Sequence, residues 1–296
     1  MKAVEIVYAT DERGVLGCVT SAVSVLTNLP SNAGATVWVI HTGLSEAATE
    51  RFREGIGGNT NVNFVYADPK CFEGLLHAKN IPPVAYARLK MPSLLPPSVR
   101  RVIYLDIDTV VNAPIEDLWN TDTRGRALAA VPNGDSRSMA TDCDRLGIVG
   151  TRYFGSGVMI CDLDVWRERQ IEERAIRFAN DLGERLIMHD QDALNGVMDG
   201  DWIELDTRWN WWAIRGGPWD GKLIHYTMTP KPWDPDYQGP GRDVFDRYAE
   251  RAGVLGQIER RRRWPRPVIA RLRRRIPYWP TVLRVCKRRL GFDKRR

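Results

Sequence analysis

The stretch RRVIYLDIDTVVN, residues 100–112, contains an apolar run that ends in two carboxylates. The run predicts a buried β-strand over residues 101–105, with Asp106 and Asp108 at its end. Because residues i and i+2 of an extended segment point to the same side, both carboxylates can face one ligand. Such a pair suits a hard divalent cation, which in turn binds a diphosphate. Alternatively, the segment is an ordinary turn in which Asp106 caps and Asp108 is solvated.

Strand-like and helix-like patterns alternate on the amino-terminal side of this stretch. Short apolar runs bounded by turn residues predict strands, and apolar residues at helical spacing predict the helices between them. Strands are predicted at residues 4–9, 36–41, 61–66, 101–105, 127–131, 158–161, 202–205 and 223–226, with helices at residues 18–29 and after Ser45. This β-α-β-α-β opening is typical of a parallel sheet with helices on both faces, in which ligands bind beyond the carboxyl ends of the strands.

Composition places the chain among globular proteins. Of its 296 residues, 43% are hydrophobic and 27% are charged, which excludes a wholly disordered, collagen-like or coiled-coil chain. No apolar run reaches the length of about 18 residues that indicates a membrane-spanning helix, and the start MKAVEIVYAT is strand-like and unlike a signal peptide. The five cysteines are scattered without C-x-x-C spacing. We therefore expect an α/β protein in a reducing, cytoplasmic environment.

The positive charge of the chain is concentrated at its carboxyl end. The net charge is +6, but residues 257–296 hold 16 of the 43 Lys and Arg residues and only two of the 37 acidic ones, so the remainder is net acidic. An acidic body argues against nucleic-acid binding by the body. In the tail, arginines alternate with aromatic and aliphatic residues, and attachment to an anionic membrane surface is favoured over nucleic-acid binding or a solvated tail. We accordingly divide the chain at residue 245, with a basic amphipathic segment at 246–296.

Two motifs follow the carboxylate pair along the chain. In YFGSG, Gly155 and Gly157 flank Ser156, and small residues let backbone amides approach a ligand, although a plain turn into the next strand has the same pattern. In HDQD, Asp190, Gln191 and Asp192 begin a predicted helix. Acidic residues are favourable at a helix start for electrostatic reasons alone, whereas the Gln191 amide offers both a donor and an acceptor to sugar hydroxyls.

A third motif, HYTMTPKPW, begins at His225 and contains Lys231. A single histidine in an apolar segment is commonly a core residue. With Asp106 and Asp108, however, its imidazole completes a mixed nitrogen and oxygen site suited to Mn²⁺. Lys231 offers a point charge to a phosphate.

A different enzyme class would use the same carboxylates. The segment also resembles the nucleophile motif of haloacid-dehalogenase-type phosphatases, in which Asp106 would attack a phosphoryl group with Mg²⁺ assistance. That motif usually follows the first strand of its domain, whereas here three strands and two helices are predicted before the strand that ends at Asp106. A further acidic pair is also needed at a strand end, and Asp190 and Asp192 begin a helix instead. A non-catalytic nucleic-acid-binding protein acting through the basic tail is the other alternative.

The order D-x-D, F-G-S-G, D-Q-D and H-x5-K-P-W resembles glycosyltransferase family 8, the retaining transferases that include bacterial lipooligosaccharide galactosyltransferases and glycogenin. The resemblance covers about residues 4–235, and the lipooligosaccharide branch is most similar. It implies an α/β fold of GT-A type, a Rossmann-like mixed sheet flanked by helices, over residues 1–245, followed by a basic helical tail. It also implies transfer of galactose or glucose from a UDP-sugar to a saccharide acceptor. The basic tail fits a lipid-linked acceptor and a peripheral enzyme at the inner face of the membrane.

The resemblance also implies roles for particular residues. Mn²⁺, or Mg²⁺ in its place, would be bound by Asp106, Asp108 and His225. The residues that would bind the donor are Ala9, Thr10 and Asp11 for the uridine, and Arg88, Asp106, Ile107, Asp108, Gly155, Ser156 and Lys231 for the diphosphate and sugar. Asp190 and Gln191 would contact the transferred sugar during catalysis. Because neither is an unambiguous nucleophile, we expect the acceptor to attack from the same face as the departing UDP.

Three positions depart from the family pattern. Gly155 stands where the family has an Asn that touches the sugar, Met228 replaces a Gly, and Asn133 stands where an acidic pocket residue is expected. These changes leave the metal and diphosphate residues in place and concern the sugar. The predicted partners are therefore a UDP-hexose, a saccharide or glycolipid acceptor and an anionic membrane surface through residues 257–296, with no nucleic acid.

Overall fold

A computed structural model describes residues 3–58, 60–73, 75 and 83–262 of the chain. The strands are Val4–Thr10 (β1), Ala35–His41 (β2), Asn61–Tyr66 (β3), Arg101–Leu105 (β4), Thr109–Asn112 (β5), Leu128–Pro132 (β6), Phe154–Asp162 (β7), Ile203–Glu204 (β8), Trp211–Trp212 (β9) and Lys222–His225 (β10). The α-helices are Val15–Thr27 (α1), Glu46–Ile56 (α2), Met91–Leu94 (α3), Ile115–Trp119 (α4), Ser136–Leu146 (α5), Leu163–Glu168 (α6), Ile171–Leu182 (α7), Asp190–Met198 (α8), Arg242–Arg251 (α9) and Leu255–Arg262 (α10).

Seven strands form the main sheet, in the order β3-β2-β1-β4-β7-β6-β8. β1 pairs in parallel with β2 and β4, whereas β7 is antiparallel to both β4 and β6. The predicted mixed α/β sheet flanked by helices is therefore confirmed. Because β1, β2 and β4 run in the same direction, their carboxyl ends meet at one edge, and Asp106 follows β4 there.

A second, three-stranded sheet lies at this edge, in the order β5-β10-β9. β10 is antiparallel to β5, so that His225 pairs with Thr109, and the Tyr226 amide donates to the Asp108 carbonyl at 2.8 Å. Between the two sheets the chain turns, because the Thr109 amide bonds to the Asp106 carbonyl at 3.2 Å. The expectation that both carboxylates lie on one face of an extended segment is therefore wrong, because residues 106–108 form a turn. Instead, β10 places His225 beside both carboxylates.

Strand β7 begins earlier than predicted. The glycines around Ser156 indicated a turn before a strand at 158–161, yet the strand starts at Phe154 in the middle of the main sheet. Its pairing with β6 shifts register here: Ala130 faces Met159, whereas the next residue of β6 faces Gly155. This irregularity frees the backbone of Ser156 from the β6 ladder, and side chains of the site bond to it instead.

Buried apolar residues cover both faces of the main sheet. Helix α1 is buried along almost its full length and packs against α9 and β5. The Ser45 side chain caps α2, as predicted, by accepting from the Ala48 amide at 3.2 Å. The longer helices α5, α7 and α9 were not predicted, because their polar faces dominate the sequence pattern.

Helix α9 crosses the predicted boundary at residue 245. Phe245 and Tyr248 lie on either side of that boundary, and both are buried in the same core. Residues up to Arg262, the end of α10, therefore pack with the body, and the rest of the predicted basic tail lies outside the described residues. No helix in the described ranges is both long enough and apolar enough to cross a bilayer.

Candidate functional site

Asp106, Asp108 and His225 converge at the edge where the two sheets meet. The His225 Nε2 atom lies 3.2 Å from Asp108 Oδ1 and 3.7 Å from Asp106 Oδ2. Each residue offers one ligand atom, and these atoms lie within 4.8 Å of one another. Two carboxylate oxygens and an imidazole nitrogen form a donor set that could hold a hard or intermediate divalent cation.

The His225 ring is oriented from behind by Asn210. Its Nδ1 atom lies 2.8 Å from Asn210 Oδ1, and its Nε2 atom faces the two carboxylates. Gly157 leaves room for this arrangement. A β-carbon at position 157 would lie 2.6 Å from Asp106 Oδ2 and closer still to His225 Cε1. The cluster therefore requires a glycine at position 157 as well as its three ligand residues.

Lys231 approaches the cluster from the loop after β10. Its ammonium group contacts the Asp108 carboxylate and donates to the Tyr226 carbonyl at 2.8 Å. The loop is held by Asp234, whose carboxylate accepts from the Lys231 amide at 2.6 Å. Burial would raise the pKa of Asp108, but the Lys231 ammonium group and contact with the His225 ring hold that pKa well below its usual range. Asp108 is therefore ionised.

Arg88 joins this cluster to a second carboxylate. One Nη atom donates to Asp106 Oδ1 at 2.8 Å, and Nε lies 3.0 Å from Asp190 Oδ2. The other Nη atom bonds to the Ser156 hydroxyl and carbonyl, and the guanidinium lies over the Tyr104 ring at 4.8 Å. Burial acts to lower the pKa of Arg88, but Asp106 and Asp190 raise it above its ordinary value. A buried, permanently charged group thus connects the two acidic motifs.

Asp190 and Gln191 lie at the start of α8 and point toward β7. Burial, opposed by Arg88, raises the pKa of Asp190 to about 6. The Ser156 hydroxyl donates to Asp190 at 3.2 Å, and the Ser156 amide donates to Gln191 Oε1 at 3.0 Å. Gln191 Nε2 donates to the Tyr153 hydroxyl at 3.0 Å. The Gln191 amide is therefore held in one orientation from both ends.

Asp192 has a different environment, although it belongs to the same motif. Its side chain is fully buried and accepts two bonds of 2.9 Å from Arg145 and one of 2.6 Å from the Tyr153 hydroxyl. The amides of Ile187 and Met188 donate to it at 2.7 and 2.8 Å. Burial alone would raise the pKa of Asp192, but Arg145 and these donors lower it. This carboxylate fixes the turn into α8.

The predicted uridine residues lie at the carboxyl end of the neighbouring strand. Ala9 and Thr10 end β1, and Asp11 follows. The Asp11 carboxylate accepts from the amides of Arg13 and Gly14 at 3.0 and 3.2 Å, and from the Arg13 guanidinium at 2.7 Å. Asp11 thus shapes the turn before α1.

Two more predicted residues border the cluster. The Ile107 side chain reaches Gly14 at the start of α1, where a β-carbon would overlap it. Gly155 lies in β7 beside the side chains of Asn133 and Asn210.

The structure thus connects eight predicted site residues through direct contacts. They are Arg88, Asp106, Asp108, Ser156, Asp190, Gln191, His225 and Lys231. Ala9, Thr10, Asp11 and Ile107 line the adjoining strand ends, and Gly155 adjoins Ser156. Sequence reasoning missed Asn210, Tyr153 and Arg145. A polar residue inside the aromatic run RWNWW was a signal for Asn210, whereas nothing local distinguished Arg145 in its polar helix.

Comparison with known proteins gives the same assignment from an independent direction. The model of glycosyl transferase family 8 matches residues 5–236. General stress protein A of Bacillus subtilis is 29% identical over 251 residues, covering 76% of this chain and 86% of that protein. The putative glycosyltransferase of Haemophilus influenzae is 31% identical over 127 residues, covering 42% of this chain and 38% of that protein.

Solved structures share the fold. The galactosyltransferase LgtC, determined in complex with donor and acceptor sugar analogues, superposes with a TM-score of 0.73 at 26% identity, covering 85% of this chain and 96% of that one. The glycosyltransferase GlyE of Streptococcus pneumoniae has a TM-score of 0.64 at 18% identity, covering 87% and 63% of the two chains. With a family match over most of its length, a GT-A fold and an Asp-Asp-His cluster at the expected edge, the chain belongs to glycosyl transferase family 8 and is a glycosyltransferase.

Proposed function

We propose that the chain transfers a hexose, galactose or glucose, from a UDP-sugar to a saccharide acceptor with retention of the anomeric configuration. It would be a hexosyltransferase. The observation that carries the proposal is the convergence of Asp106, Asp108, His225 and Lys231 from three separate segments. The likeness to LgtC, whose structure contains donor and acceptor sugar analogues, supports substrates of the same classes.

Asp106, Asp108 and His225 would hold the divalent cation, Mn²⁺ or Mg²⁺. The residues fit it: their ligand atoms are close together, Asn210 contacts His225 Nδ1 so that Nε2 faces the carboxylates, and position 157 has no side chain. When bound, the cation neutralises charge on the diphosphate as the sugar leaves.

Lys231 would bind the departing diphosphate. Its ammonium group is already positioned beside Asp108 by the Tyr226 carbonyl, and the bond between Asp234 and the Lys231 amide fixes the loop. A fixed cation stabilises charge that develops on a leaving group at little reorganisation cost. Donor binding would therefore require only that the Lys231 side chain turn from Asp108 toward a phosphate oxygen.

The surroundings of Asp190 and Gln191 favour attack by the acceptor itself. The Asp190 carboxylate is engaged by Arg88 and Ser156, and the Gln191 carbonyl oxygen accepts from the Ser156 amide. Neither is presented as a free nucleophile. We therefore propose that the acceptor attacks on the face from which UDP departs, and that a diphosphate oxygen takes its proton. Isolation of a peptide glycosylated at Asp190 would contradict this route.

Calorimetric titration of UDP tests the proposal. With Mn²⁺ we expect micromolar binding, lost in EDTA and reduced at least about 100-fold, or roughly 3 kcal/mol, in the Asp106→Ala/Asp108→Ala double variant. Asp181→Ala, at an exposed position of α7, is the matched control and should bind like the unmodified chain. Absence of UDP binding under both conditions would overturn the proposal.

A second substitution tests the metal cluster without removing a ligand. In Gly157→Ala, the added β-carbon would overlap His225 and Asp106, so Mn²⁺ binding measured by electron paramagnetic resonance should be lost. Gly34→Ala is the control, because its β-carbon would meet only the Ala3 side chain, at 3.9 Å. Equal Mn²⁺ affinity in the two variants would exclude a cation at this position.

A phosphatase built on Asp106 is not proposed. It needs a second acidic pair that faces the same site, and the available partner, Asp192, is buried behind Gln191 and bound to Arg145. Membership of glycosyl transferase family 8 points to the other chemistry.

We also propose that the carboxyl-terminal segment holds the enzyme at the cytoplasmic face of an anionic membrane, where a lipid-linked acceptor would lie. The support is the charge and aromatic content of residues 257–296. The segment can be cut after Arg262, because the Arg262 side chain is only 7% exposed, pairs with Asp246 at 2.7 Å and donates to the Pro232 carbonyl at 2.7 Å. The test is therefore deletion of residues 263–296, which leaves Arg262 and α10 in place.

The truncated chain should keep UDP binding and transfer to a soluble acceptor, but should no longer sediment with vesicles containing phosphatidylserine. The full chain should sediment with them, less at high salt. Retained vesicle binding after the deletion would contradict the membrane role. Binding to nucleic acid but not to vesicles would favour the alternative function of the tail.

A further inference from the structure

The loop that carries Lys231 is fixed by hydrogen bonds on both sides of that residue. On one side, the Lys231 amide donates to the Asp234 carboxylate at 2.6 Å. On the other side, the Pro232 carbonyl accepts from the Arg262 guanidinium at 2.7 Å. The first bond lies within the loop and would move with it, whereas the second ties the loop to the end of α10. The position of Lys231 in the site therefore depends on Arg262.

Arg262 is itself held by Asp246 of α9. Its two Nη atoms donate to the two oxygens of the Asp246 carboxylate at 2.8 and 2.7 Å, and one of them also makes the bond to Pro232. A planar guanidinium that pairs with a carboxylate through two parallel bonds has one orientation. The donor that faces the Pro232 carbonyl is therefore held at a fixed point.

Apolar packing holds the same loop against the body. Trp233 is buried, and its ring lies 6.1 Å from the ring of Phe245 in α9. The Trp233 ring also covers Gly17 of α1, where a β-carbon would overlap it. Because the hydrophobic effect is non-directional, this packing keeps the loop in place without orienting its peptide groups. The bond from Arg262 supplies that orientation.

The orientation matters because Lys231 must exchange one partner for another. Its ammonium group contacts the Asp108 carboxylate and donates to the Tyr226 carbonyl at 2.8 Å. A diphosphate bound at the metal cluster would lie beside Asp108, so the side chain can reach it only if the loop backbone stays in place. A preorganised cation stabilises the charge on a leaving group better than one that must first be ordered.

The residues that hold the loop lie outside the part of the chain that matches the family model. The match covers residues 5–236, whereas Asp246 and Arg262 come later. Lys231 is thus inside the matched region, and its polar support comes from the carboxyl-terminal helices α9 and α10.

We propose that Arg262, held by Asp246, is a positioning residue for Lys231. It fixes the loop so that the Lys231 ammonium group meets the diphosphate of the departing UDP. Helices α9 and α10 thus contribute to donor binding without contacting the donor. This inference rests on the proposed function, because it needs a diphosphate at the metal cluster.

The test is a double-mutant cycle between Arg262 and Lys231 in the full chain. Calorimetry measures the affinity for UDP with Mn²⁺ in the unmodified chain, Lys231→Ala, Arg262→Met and the double variant. We expect Lys231→Ala to weaken binding about 30-fold and Arg262→Met about tenfold. In the Lys231→Ala background, Arg262→Met should weaken binding no further, because no ammonium group remains to be positioned. No loss in Arg262→Met, or an equal loss in both backgrounds, would overturn the inference.

A conservative variant keeps the inference testable if Arg262→Met does not fold. Arg262→Lys retains a positive charge beside Asp246, but one ammonium nitrogen cannot reproduce the guanidinium fork. Its loss of UDP affinity should therefore be smaller than that of Arg262→Met, and should again disappear in the Lys231→Ala background. Arg260→Met, at an exposed position of the same helix, is the matched control and should bind UDP like the unmodified chain.

Mn²⁺ binding without nucleotide separates positioning of Lys231 from damage to the metal cluster. Measured by electron paramagnetic resonance, it should be the same in both Arg262 variants as in the unmodified chain, because the Arg262 bonds go to Asp246 and Pro232. Reduced Mn²⁺ affinity in these variants would contradict the inference. Absence of UDP binding in the unmodified chain would instead refute the proposed function.

Discussion

The two acidic motifs, D-x-D at 106–108 and D-Q-D at 190–192, look alike in sequence but have opposite surroundings. Asp108 is buried beside the Lys231 ammonium group and the His225 ring, and these hold its pKa well below the usual range despite that burial. Asp190 is buried beside a single guanidinium, that of Arg88, and its pKa rises to about 6. The same residue type is thus kept ionised in one motif and drawn toward the neutral form in the other.

The second members of the motifs differ further. Asp108 faces the edge of the sheet where a ligand can bind, whereas Asp192 is enclosed by Arg145, Tyr153 and backbone amides. A carboxylate that faces a site and one that holds a turn cannot be told apart by spacing. They differ in the partner that tertiary packing supplies. Asp108 contacts Lys231 on the loop after β10, whereas Asp192 pairs with Arg145 of α5.

The largest effect on stability is expected for Asp192→Ala. Removing this carboxylate leaves the Arg145 charge, the Tyr153 hydroxyl and two amides without their shared acceptor, and breaking such a buried pair typically costs about 3–5 kcal/mol. Chemical denaturation in EDTA at pH 7 would measure the loss, with Asp181→Ala as the exposed control. A loss below about 1 kcal/mol would show that Asp192 is not the structural member of its motif.

Added Mn²⁺ sharpens the same contrast. At 100 times its Kd, a ligand that binds only the native state stabilises it by about 2.7 kcal/mol. Asp192→Ala should gain this increment as the unmodified chain does, because Asp192 lies outside the metal cluster, whereas Asp108→Ala should gain none of it. An equal gain in the two variants would remove the distinction between the motifs.

A smaller effect, of about 2–3 kcal/mol, is expected from the titration of Asp190. Its native pKa of about 6 exceeds the value of about 4 in an unfolded chain, so the native state binds the proton more tightly. The stability contributed by protonated Asp190 is present below about pH 4 and is lost as pH rises through 6. In EDTA, the free energy of unfolding of the unmodified chain relative to Asp190→Asn should therefore fall between pH 4.5 and 7.

The control is the difference in free energy of unfolding between the unmodified chain and Asp181→Asn, measured over the same pH range. A difference between the unmodified chain and Asp190→Asn that is constant across the pH range would mean that Arg88 fully compensates the burial of Asp190. A difference that increased with pH would reverse the sign, and would place Asp190 with Asp108 as a carboxylate stabilised in its charged form.

Much of the fold could be predicted from the sequence, because its strands are short apolar runs. The predicted strands at 61–66 and 101–105 coincide with β3 and β4. The short strands β5 and β9 were not predicted, and β7 was predicted to start too late, because Gly155 and Gly157 indicated a turn. Glycine lowers strand propensity, but here these positions are small because Asn210 and His225 approach them closely, a tertiary cause that a local pattern does not show.

The candidate site was predictable where residue type alone decides the chemistry. Asp106, Asp108, His225 and Lys231 carry charges or lone pairs that suit a metal and a diphosphate, and the structure brings them together. Residues that act by orienting others were missed. Asn210 matters because of the atom that its amide touches, and this depends on β9 and β10 lying side by side, which no spacing in the sequence indicates.

The smallest expected effect is the coupling free energy between Asp106 and Asp190, which both contact Arg88. Arg88 donates to Asp106 at 2.8 Å and lies 3.0 Å from Asp190, so either carboxylate alone still pairs with the buried guanidinium. Asp106→Asn and Asp190→Asn should therefore be more destabilising together than the sum of the two single changes, by about 1 kcal/mol at pH 7.5 in EDTA. Asp190→Asn combined with Asp181→Asn should be additive within about 0.5 kcal/mol. Additivity of the first pair would mean that the metal cluster and the D-Q-D turn are energetically independent, and that Arg88 serves only one of them.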